Sequence, residues 1–192
     1  MNTAQKFFEE ILPEATAISR EVSKRFFKKP LEDIGMVSKA DASPVTAADL
    51  EIEARLRDLI LKRFPDHGII GEEHGSENTD AEFVWVLDPI DGTKSFITGV
   101  PLFTTLIALQ RGGQPECGAI YQPILDELVW GNNHECFFNG KPTRMRTKAG
   151  IAEAAASAAP PSITSRRVVM RLSRLFLLSG GPAAIDQDVG AG

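Results

Sequence analysis

The hydrophobic pattern of the chain changes period near residue 67, from a helical repeat to short segments of strand type. Before that point, apolar residues recur at spacings of three and four in two stretches, which predicts two amphipathic helices. The first apolar face consists of Phe7, Ile11, Ala15, Ile18, Val22 and Phe26. The second helix follows the string SPVT and ends near Pro65, with an apolar face of Leu50, Ala54, Leu56, Leu59, Ile60 and Phe64.

Six short segments rich in β-branched and aromatic residues follow the second helix. They are separated by turn residues such as Gly112 and Gly113, which predicts strands joined by hairpins. The segments are HGIIGEE, FVWVLD, FTTLIALQ, CGAIYQP, ELVWGN and ECFFNG. Two helices before a run of hairpin strands predict an α+β fold, in which a helix layer covers a largely antiparallel sheet.

Composition limits the classes of function. With 192 residues, of which 43% are hydrophobic, the chain can bury a core without disulfides. Cys117 and Cys136 lack the spacing of a zinc or redox motif, so we expect a reducing compartment. The N-terminal segment is too acidic for a signal peptide and no apolar run is long enough to span a bilayer, so we expect a cytoplasmic protein without membrane contact. A net charge of -5 argues against nucleic acid as a partner.

The composition changes again near Gly150. The segment from 151 to 192 is rich in Ala, Gly and Pro and contains one short stretch of helical type. We therefore expect one α+β domain over residues 1–150, followed by an atypical tail over residues 151–192.

The string WVLDPIDGTKSF places two carboxylates where an apolar strand stops. We expect the strand to end at Asp88, because Pro89 has no N–H and Gly92 permits a sharp bend. Asp88 and Asp91 can then face one point, and the Ile90 carbonyl can supply a third oxygen. Such oxygen ligands suit Mg²⁺ or Ca²⁺ rather than zinc.

Two further features extend this cluster. Glu72 and Glu73 also end an apolar segment, and Glu72 lies beside Asp88 if the two strands are neighbours. Several acids in one place repel each other unless cations lie between them. The residues after Asp91 look like the start of a short helix, whose unpaired N–H groups attract an anion such as phosphate.

Structural interpretations compete with each of these assignments. Acids at strand ends are commonly solvated turn residues, which applies to both acidic pairs. Thr46 and Asp49 fit a capping box at the start of the second helix, which alone accounts for both. Lys39 and Lys94 are candidates for phosphate contacts, although Lys39 is equally interpreted as a solvated lysine. The histidines lack the spacing of metal ligands.

Three strings in order, SPVTAAD, IIGEEHG and WVLDPIDGTKSF, resemble the inositol monophosphatase family of Mg²⁺-dependent, lithium-sensitive phosphatases. The resemblance runs from about residue 5 to about residue 155 and implies the N-terminal α+β layer of that fold. It implies that metal is bound by Glu72, Asp88, Asp91 and the Ile90 carbonyl. Glu73 would lie alongside in support.

The resemblance also implies catalytic and substrate contacts. Asp49, Glu72 and Thr93 are the implied catalytic residues, with Asp49 and Thr93 holding the attacking water and Asp49 reaching a further metal. The phosphate would bind at Gly92, Thr93 and Lys94. The implied cofactor is two or three Mg²⁺ ions, and the implied reaction is direct hydrolysis of a phosphate ester without a covalent enzyme intermediate.

The substrate implied is a small phosphorylated metabolite. Lys94, Ser95 and Phe96 after Gly-Thr look like the branch that includes the histidinol-phosphate phosphatases of histidine biosynthesis. Inositol 1-phosphate and 3'(2'),5'-bisphosphate nucleotides are the alternatives. The resemblance implies a homodimer for a full-length member.

One family motif, W-D-x-x-A-G, does not occur in this sequence. In the family it supplies a fourth metal-binding aspartate from a second α/β domain, which we expect to be largely missing here through truncation, a frameshift or natural divergence. Asp188 in the string DQDVGAG is interpreted as a chance resemblance. A hypothesis of another class therefore stands beside the enzyme: a catalytically impaired metal-binding fragment, with activity about a hundredfold or more below that of a full-length relative.

Overall fold

A computed structural model of the chain describes residues 3–38 and 43–144. Its N-terminal half is helical, as the sequence predicts. The helices are α1 (Thr3–Lys6), which continues through a π-helical turn (Phe7–Ile11) into α2 (Leu12–Phe26), then α3 (Ala47–Arg63) and the short α4 (Thr93–Ile97). Lys39 and the tail from residue 145 onward lie outside the described residues.

The π-helical turn explains how the first helix accommodates Pro13. A proline has no N–H for the helical ladder and its ring crowds the preceding turn. The turn before it is widened, and its Leu12 N–H donates to the Phe7 carbonyl. The predicted apolar face is preserved, since Phe7, Ile11, Ala15 and Val22 are buried.

The predicted apolar face of α3 is only partly correct. Leu56, Leu59 and Ile60 are buried, but Leu50 is 39% exposed and Ala54 is also exposed. The buried side of the helix instead includes Glu53, which is fully buried. Periodicity counts apolar residues, so it cannot assign a charged side chain to the core.

The strands form one large sheet and one small ribbon. The ribbon pairs β1 (Val37–Ser38) with β2 (Pro44–Val45). The sheet has the order β10-β9-β8-β7-β6-β5-β3-β4. Its strands are β3 (Gly68–Gly71), β4 (Gly75–Glu77), β5 (Phe83–Asp91), β6 (Thr104–Arg111), β7 (Gln114–Gln122), β8 (Glu127–Asn132), β9 (Cys136–Phe138) and β10 (Lys141–Pro142).

This sheet confirms the predicted α+β class. All six predicted segments are strands, while β1, β2, β4 and β10 are additional short strands. Its pairs are antiparallel except for β3 and β5, which run parallel. Parallel strands carry their carboxyl ends to the same edge, so the two acidic strings meet there.

The two faces of the sheet belong to different core clusters, because side chains alternate along each strand. Trp85 and Leu87 of β5 pack in the cluster that contains α2 and α3. Val84 and Val86 belong to a smaller cluster on the opposite face. By the same alternation, Asp88 follows Val84 and Val86 onto the face opposite the helices.

Two further sequence predictions concern the cysteines and the membrane. Cys117 and Cys136 are both buried and unbridged, in β7 and β9. Burial raises the pKa of both thiols, which makes them inert members of the core. Within the described ranges, no helix has the length and apolar character required to cross a bilayer.

Candidate active site

The strand β5 passes through the acidic string instead of ending at Asp88. Asp88 pairs with Leu106 and Asp91 pairs with Thr104, so three steps along β5 oppose two along β6. The prediction of a strand end at Asp88 was therefore wrong. The extra residue is a β-bulge, which accommodates Pro89 without a ladder hydrogen bond and turns the following side chains.

A chain of buried hydroxyl groups holds this bulge. Thr105 Oγ1 donates to the Pro89 carbonyl at 2.7 Å. Ser19 Oγ of α2 lies 2.6 Å from Thr105 Oγ1. Since a hydroxyl has one hydrogen, Thr105 must accept from Ser19. The helix layer thus fixes the direction of a carbonyl inside the bulge.

Gly92 turns the chain from β5 into α4. Its φ is +102°, which is the left-handed region that side chains resist. A Cβ atom at this position would also lie 2.7 Å from the Leu102 carbonyl oxygen. The predicted need for glycine is confirmed on both grounds.

Glu72 and Asp88 are brought together by the parallel pair. Gly71 is opposite Leu87 in the register, and the Glu72 N–H donates to the Leu87 carbonyl at 3.2 Å. Glu72 therefore continues the pairing beside Asp88. The condition under which the sequence brings the two acidic strings together, that their strands are neighbours, is met.

Asp88 is the buried centre of this acidic cluster, with 2% of its surface exposed. Desolvation raises the pKa of Asp88 to about 10, with further contributions from Glu72, Asp91 and Asp49. Among the described residues, none donates a hydrogen bond to Asp88 Oδ1. A buried, unpaired carboxylate oxygen among other acids is a position that a cation would stabilise.

Asp49 serves two partners with its two carboxylate oxygens. Oδ2 accepts the Thr46 N–H at 2.8 Å, so the predicted capping box is present. Oδ1 lies 3.4 Å from the Thr93 hydroxyl. Burial raises the pKa of Asp49, while the hydrogen bonds from Thr46 oppose the shift. The structural and the functional interpretation of this residue are therefore compatible.

Thr93 connects the start of α4 with the bulge and with α3. Its hydroxyl lies 3.1 Å from the Ile90 carbonyl as well as 3.4 Å from Asp49 Oδ1. The Ile90 carbonyl is thus engaged on one side and retains a second lone pair. Lys94 follows on α4 with an exposed side chain, and Asp91 is half-buried.

The fit of this cluster to a cation can be tested on its donors. In the described ranges, no three His, Cys, Asp or Glu side chains are already arranged around a common metal position. Instead, Asp88 is hydrogen-bonded to Glu72. The donor set is nevertheless entirely oxygen and includes the unpaired Asp88 Oδ1, which fits Mg²⁺.

Sequence reasoning missed Glu53 and Arg57, which lie next to this cluster. Together with Asp49 they recur every four residues along α3. Such spacing is typical of ion pairs on a solvated helix face, so the sequence offered no sign of burial. Glu53 nevertheless accepts the backbone N–H groups of Glu73 and His74, the two residues after Glu72.

Three comparisons identify similar proteins. A fructose-1,6-bisphosphatase/inositol-1-monophosphatase from Aquifex aeolicus is 33% identical over 174 residues, covering 90% of this chain and 65% of that protein. A histidinol-phosphatase from Chlorobaculum parvum is 38% identical over 146 residues, covering 73% and 55%. The solved structure of an inositol monophosphatase from Zymomonas mobilis matches with a TM-score of 0.63 and 36% identity, covering 77% and 56%.

The similar proteins are longer than this chain. The chain spans between about half and two thirds of the length of the relatives. The sequence model of the inositol monophosphatase family matches residues 4–174, which includes every part of the site. Since that match covers most of the 192 residues, the chain belongs to the inositol monophosphatase family.

Proposed function

We propose that this protein is a Mg²⁺-dependent phosphomonoesterase that hydrolyses a small phosphorylated metabolite. The observation that carries the proposal is the buried carboxylate of Asp88, which has neighbouring acids and an oxygen to which no described residue donates a hydrogen bond. Carboxylate oxygens of this kind are typical ligands of a hard divalent cation. A bound divalent cation can in turn polarise the phosphoryl oxygens of a phosphate ester.

The proposed metal ligands are Glu72, Asp88, Asp91 and the Ile90 carbonyl, with Asp49 reaching a further ion. We propose two or three Mg²⁺ ions. The chemistry that Mg²⁺ supplies when bound is Lewis-acid activation of water and neutralisation of charge on the phosphate oxygens. Binding would require Asp88 to lose the proton that its raised pKa retains at neutral pH.

Thr93 and Asp49 are the proposed groups that orient the attacking water. Because the Thr93 hydroxyl donates toward Asp49 Oδ1 or the Ile90 carbonyl, its own oxygen lone pairs can accept a hydrogen bond from water. Asp49 Oδ1, which lies 3.4 Å from the same hydroxyl, is the proposed acceptor of the proton that the water loses. Positioning of this kind supplies much of the catalysis in phosphoryl transfer.

The proposed phosphate contacts are Gly92, Thr93 and Lys94. They follow directly on Asp91, so a phosphate held there would lie next to the metal ligands. The exposed ammonium group of Lys94 can reach an anion on the surface of the site.

For the substrate we propose histidinol phosphate. The support is the Lys94-Ser95-Phe96 string and the similarity to histidinol-phosphatases from Chlorobaculum parvum and Mycobacterium tuberculosis. Other relatives are named for inositol 1-phosphate or fructose 1,6-bisphosphate. Phosphate release from these three esters and from 3'-phosphoadenosine 5'-phosphate should rank histidinol phosphate first, and a preference for any other ester would reject this choice.

The matched pair Asp91→Asn and Glu73→Gln tests the metal site. Asp91 is proposed to touch the metal directly, whereas Glu73 is proposed only to support its neighbours. We expect Asp91→Asn to weaken Mg²⁺ binding in a calorimetric titration far more than Glu73→Gln. Equal effects of the two substitutions would reject the ligand assignment.

We also propose that residues 1–150 form the metal- and phosphate-binding domain and residues 151–192 a separate tail. The alternative function is a catalytically impaired metal-binding fragment. Measurement of Mg²⁺ binding and of phosphate release on the same preparation distinguishes the two. Binding without release would support the fragment.

A further inference from the structure

Three charged residues form one stripe along α3, and they contact two neighbouring parts of the molecule. Asp49, Glu53 and Arg57 are four residues apart, so their Cα atoms rise by roughly 6 Å from one to the next. Asp49 lies at the acidic cluster, while Glu53 and Arg57 contact the hairpin formed by β3 and β4. Glu72 lies in the turn of that hairpin.

Glu53 has three hydrogen-bond donors although its side chain is fully buried. Oε2 accepts the Glu73 N–H at 2.7 Å, and Oε1 accepts the His74 N–H at 3.0 Å. The Arg57 guanidinium donates from Nε to Oε1 at 2.9 Å. A buried carboxylate is tolerated only when donors and a counter-charge surround it, and Glu53 meets both conditions.

Gly71 provides the space for this arrangement. A Cβ atom at Gly71 would lie 1.9 Å from Glu53 Oε1 and 2.7 Å from Arg57 Nη2. Its φ is not in the left-handed region, so the requirement for glycine is one of space. The last residue of β3 is therefore shaped to admit the carboxylate of α3.

Arg57 holds the other arm of the same hairpin. Its Nη1 donates to Glu77 Oε1 at 2.6 Å, and its Nη2 donates to the Gly75 carbonyl. His74 also contacts α3, since its Nε2 lies 3.0 Å from the Leu50 carbonyl oxygen. The hairpin that carries Glu72 is thus bound to α3 in two places, at the backbone of its turn and at its second strand, β4.

These contacts leave Glu72 between two fixed points. Its own N–H is bonded to Leu87 of β5, and the next two N–H groups are bonded to Glu53. The Glu72 side chain itself is hydrogen-bonded to Asp88.

We propose that Glu53 is a positioning residue that fixes the turn at Glu73 and His74 so that Glu72 faces Asp88. The proposal rests on the proposed function, in which Glu72 is a metal ligand. Residues that orient metal ligands typically change metal affinity by about 10- to 100-fold when they are substituted. Glu53 acts through Glu72 and has no contact with metal or substrate itself.

The test compares Glu53→Gln with Glu51→Gln. Glu51 is a matched control, because it lies on the same helix and its ion pairs are with Arg25 of α2 and Arg55 of α3 rather than with the hairpin. In Glu53→Gln the new NH₂ group faces groups that are themselves donors, the Glu73 and His74 N–H groups and the Arg57 guanidinium. Hydrogen exchange should therefore be at least about tenfold faster at the Glu73 and His74 amides, and Mg²⁺ affinity in a calorimetric titration should fall by about 10- to 100-fold. Glu51→Gln should change neither quantity.

The two readouts separate this proposal from the proposed function. If the wild-type protein does not bind Mg²⁺, the proposed function fails, while hydrogen exchange still tests the fixed turn. If Mg²⁺ binds equally well to wild type and Glu53→Gln, the positioning role is rejected. Should Glu53→Gln fail to fold, the wild-type amides decide: fast exchange at Glu73 and His74, as in an exposed loop, would overturn the proposal.

Discussion

Asp88 and Glu53 are both buried carboxylates at the same edge of the sheet, and their surroundings are opposite. Glu53 is enclosed by a guanidinium and two backbone N–H groups. Asp88 is surrounded by Glu72, Asp91 and Asp49, and no described residue donates to its Oδ1. The difference distinguishes two kinds of buried acid: a carboxylate whose charge is balanced by its own chain stays ionised and stabilises the fold, whereas one that is not balanced holds a proton until a cation replaces it.

The largest expected effects follow from neutralising each of these carboxylates. Asp88→Asn should lower the rate of phosphate release by about 10²- to 10³-fold, as expected for one electrostatic contact in a catalytic site. The free energy of unfolding of the metal-free protein should not fall, because the buried carboxyl group, which is protonated at neutral pH, is replaced by a neutral amide of similar size. Glu53→Gln should lower that free energy by about 3 kcal/mol, because it leaves Arg57 without its buried counter-charge.

Chemical denaturation in the presence of a chelator measures both variants. If Asp88→Asn destabilises the metal-free protein as much as Glu53→Gln does, the proposed difference between the two buried carboxylates is wrong. Glu51→Gln again serves as the control, and its more exposed ion pairs should contribute no more than about 1 kcal/mol.

The second prediction concerns the pH dependence of metal binding. The pKa of Asp88 is raised from 3.8 to about 10, so the folded, metal-free protein holds a proton there that the unfolded chain loses. This contribution to stability is complete below pH 3.8 and is lost as the pH rises toward about 10. Mg²⁺ must displace the same proton, so its affinity should rise by up to about tenfold per pH unit across the neutral range.

Calorimetric titration of Mg²⁺ at several pH values, in buffers of different ionisation enthalpy, checks this expectation. The wild-type protein should release about one proton for each ion bound at Asp88, and Asp88→Asn should release less. A Mg²⁺ affinity that does not change with pH would mean that Asp88 is already ionised in the metal-free protein. Asp88 would then not differ from Glu53 in its protonation.

The hydroxyl chain at the bulge is expected to contribute to stability as the donors around Glu53 do. Thr105→Val removes the hydroxyl that donates to the Pro89 carbonyl and should cost about 1–3 kcal/mol, because a buried carbonyl loses its donor. Thr105→Ser keeps the hydroxyl and should restore most of that loss. Thermal unfolding of both variants, with Thr104→Val as the control from the same strand, measures the effect. Equal stability of Thr105→Val and Thr105→Ser would show that packing, not the hydroxyl chain, holds the bulge.

The smallest effect on stability is expected at His67, a partly buried imidazole that resembles neither of the two buried carboxylates. Its Nδ1 accepts the Trp85 indole N–H at 3.1 Å, so protonation there would break the bond. Burial lowers the pKa of His67; Asp66 and Glu82 oppose the shift, and Lys6 adds to it. Its ring also stacks on Phe64 and Phe83.

The sign of the pH effect follows from that lowered pKa. The unfolded imidazole binds a proton more readily than the folded one, so stability should be lost as the pH falls below the ordinary histidine value of 6.5. The thermal midpoint should fall slightly between about pH 7.5 and about pH 5.5 in the wild type and less in His67→Gln. His134→Gln, at a histidine of the surface, should behave as the wild type does.

The sequence predicts much of the fold, because the fold depends on patterns that a single chain displays. The six strands and both long helices follow from apolar spacing, and the need for glycine at position 92 follows from the turn. Leu50 and Ala54 were assigned to the core wrongly, since they fit the spacing but face outward. The bulge was missed because Pro89 looked like the end of a strand, and only the register with β6 shows that the strand continues.

The site is predicted less completely, because it depends on which strands are neighbours. The meeting of Glu72 and Asp88 follows from the parallel pairing of β3 with β5, which the sequence stated only as a condition. Glu53 could not be found at all. Its burial depends on the missing side chain of Gly71, and the two positions are distant in the sequence.

The two oxygens of Asp49 have different partners, one in the helix cap and one in the candidate active site. Oδ2 caps α3 through the Thr46 N–H, and Oδ1 lies toward the Thr93 hydroxyl. An asparagine would turn its remaining oxygen toward the cap and present its NH₂ group to Thr93, which cannot then donate to it. Either residue therefore satisfies the cap of α3, whereas the proton transfer proposed for Asp49 requires the acid. A chain in which this aspartate is exchanged for asparagine would keep its shape and lose that proposed step.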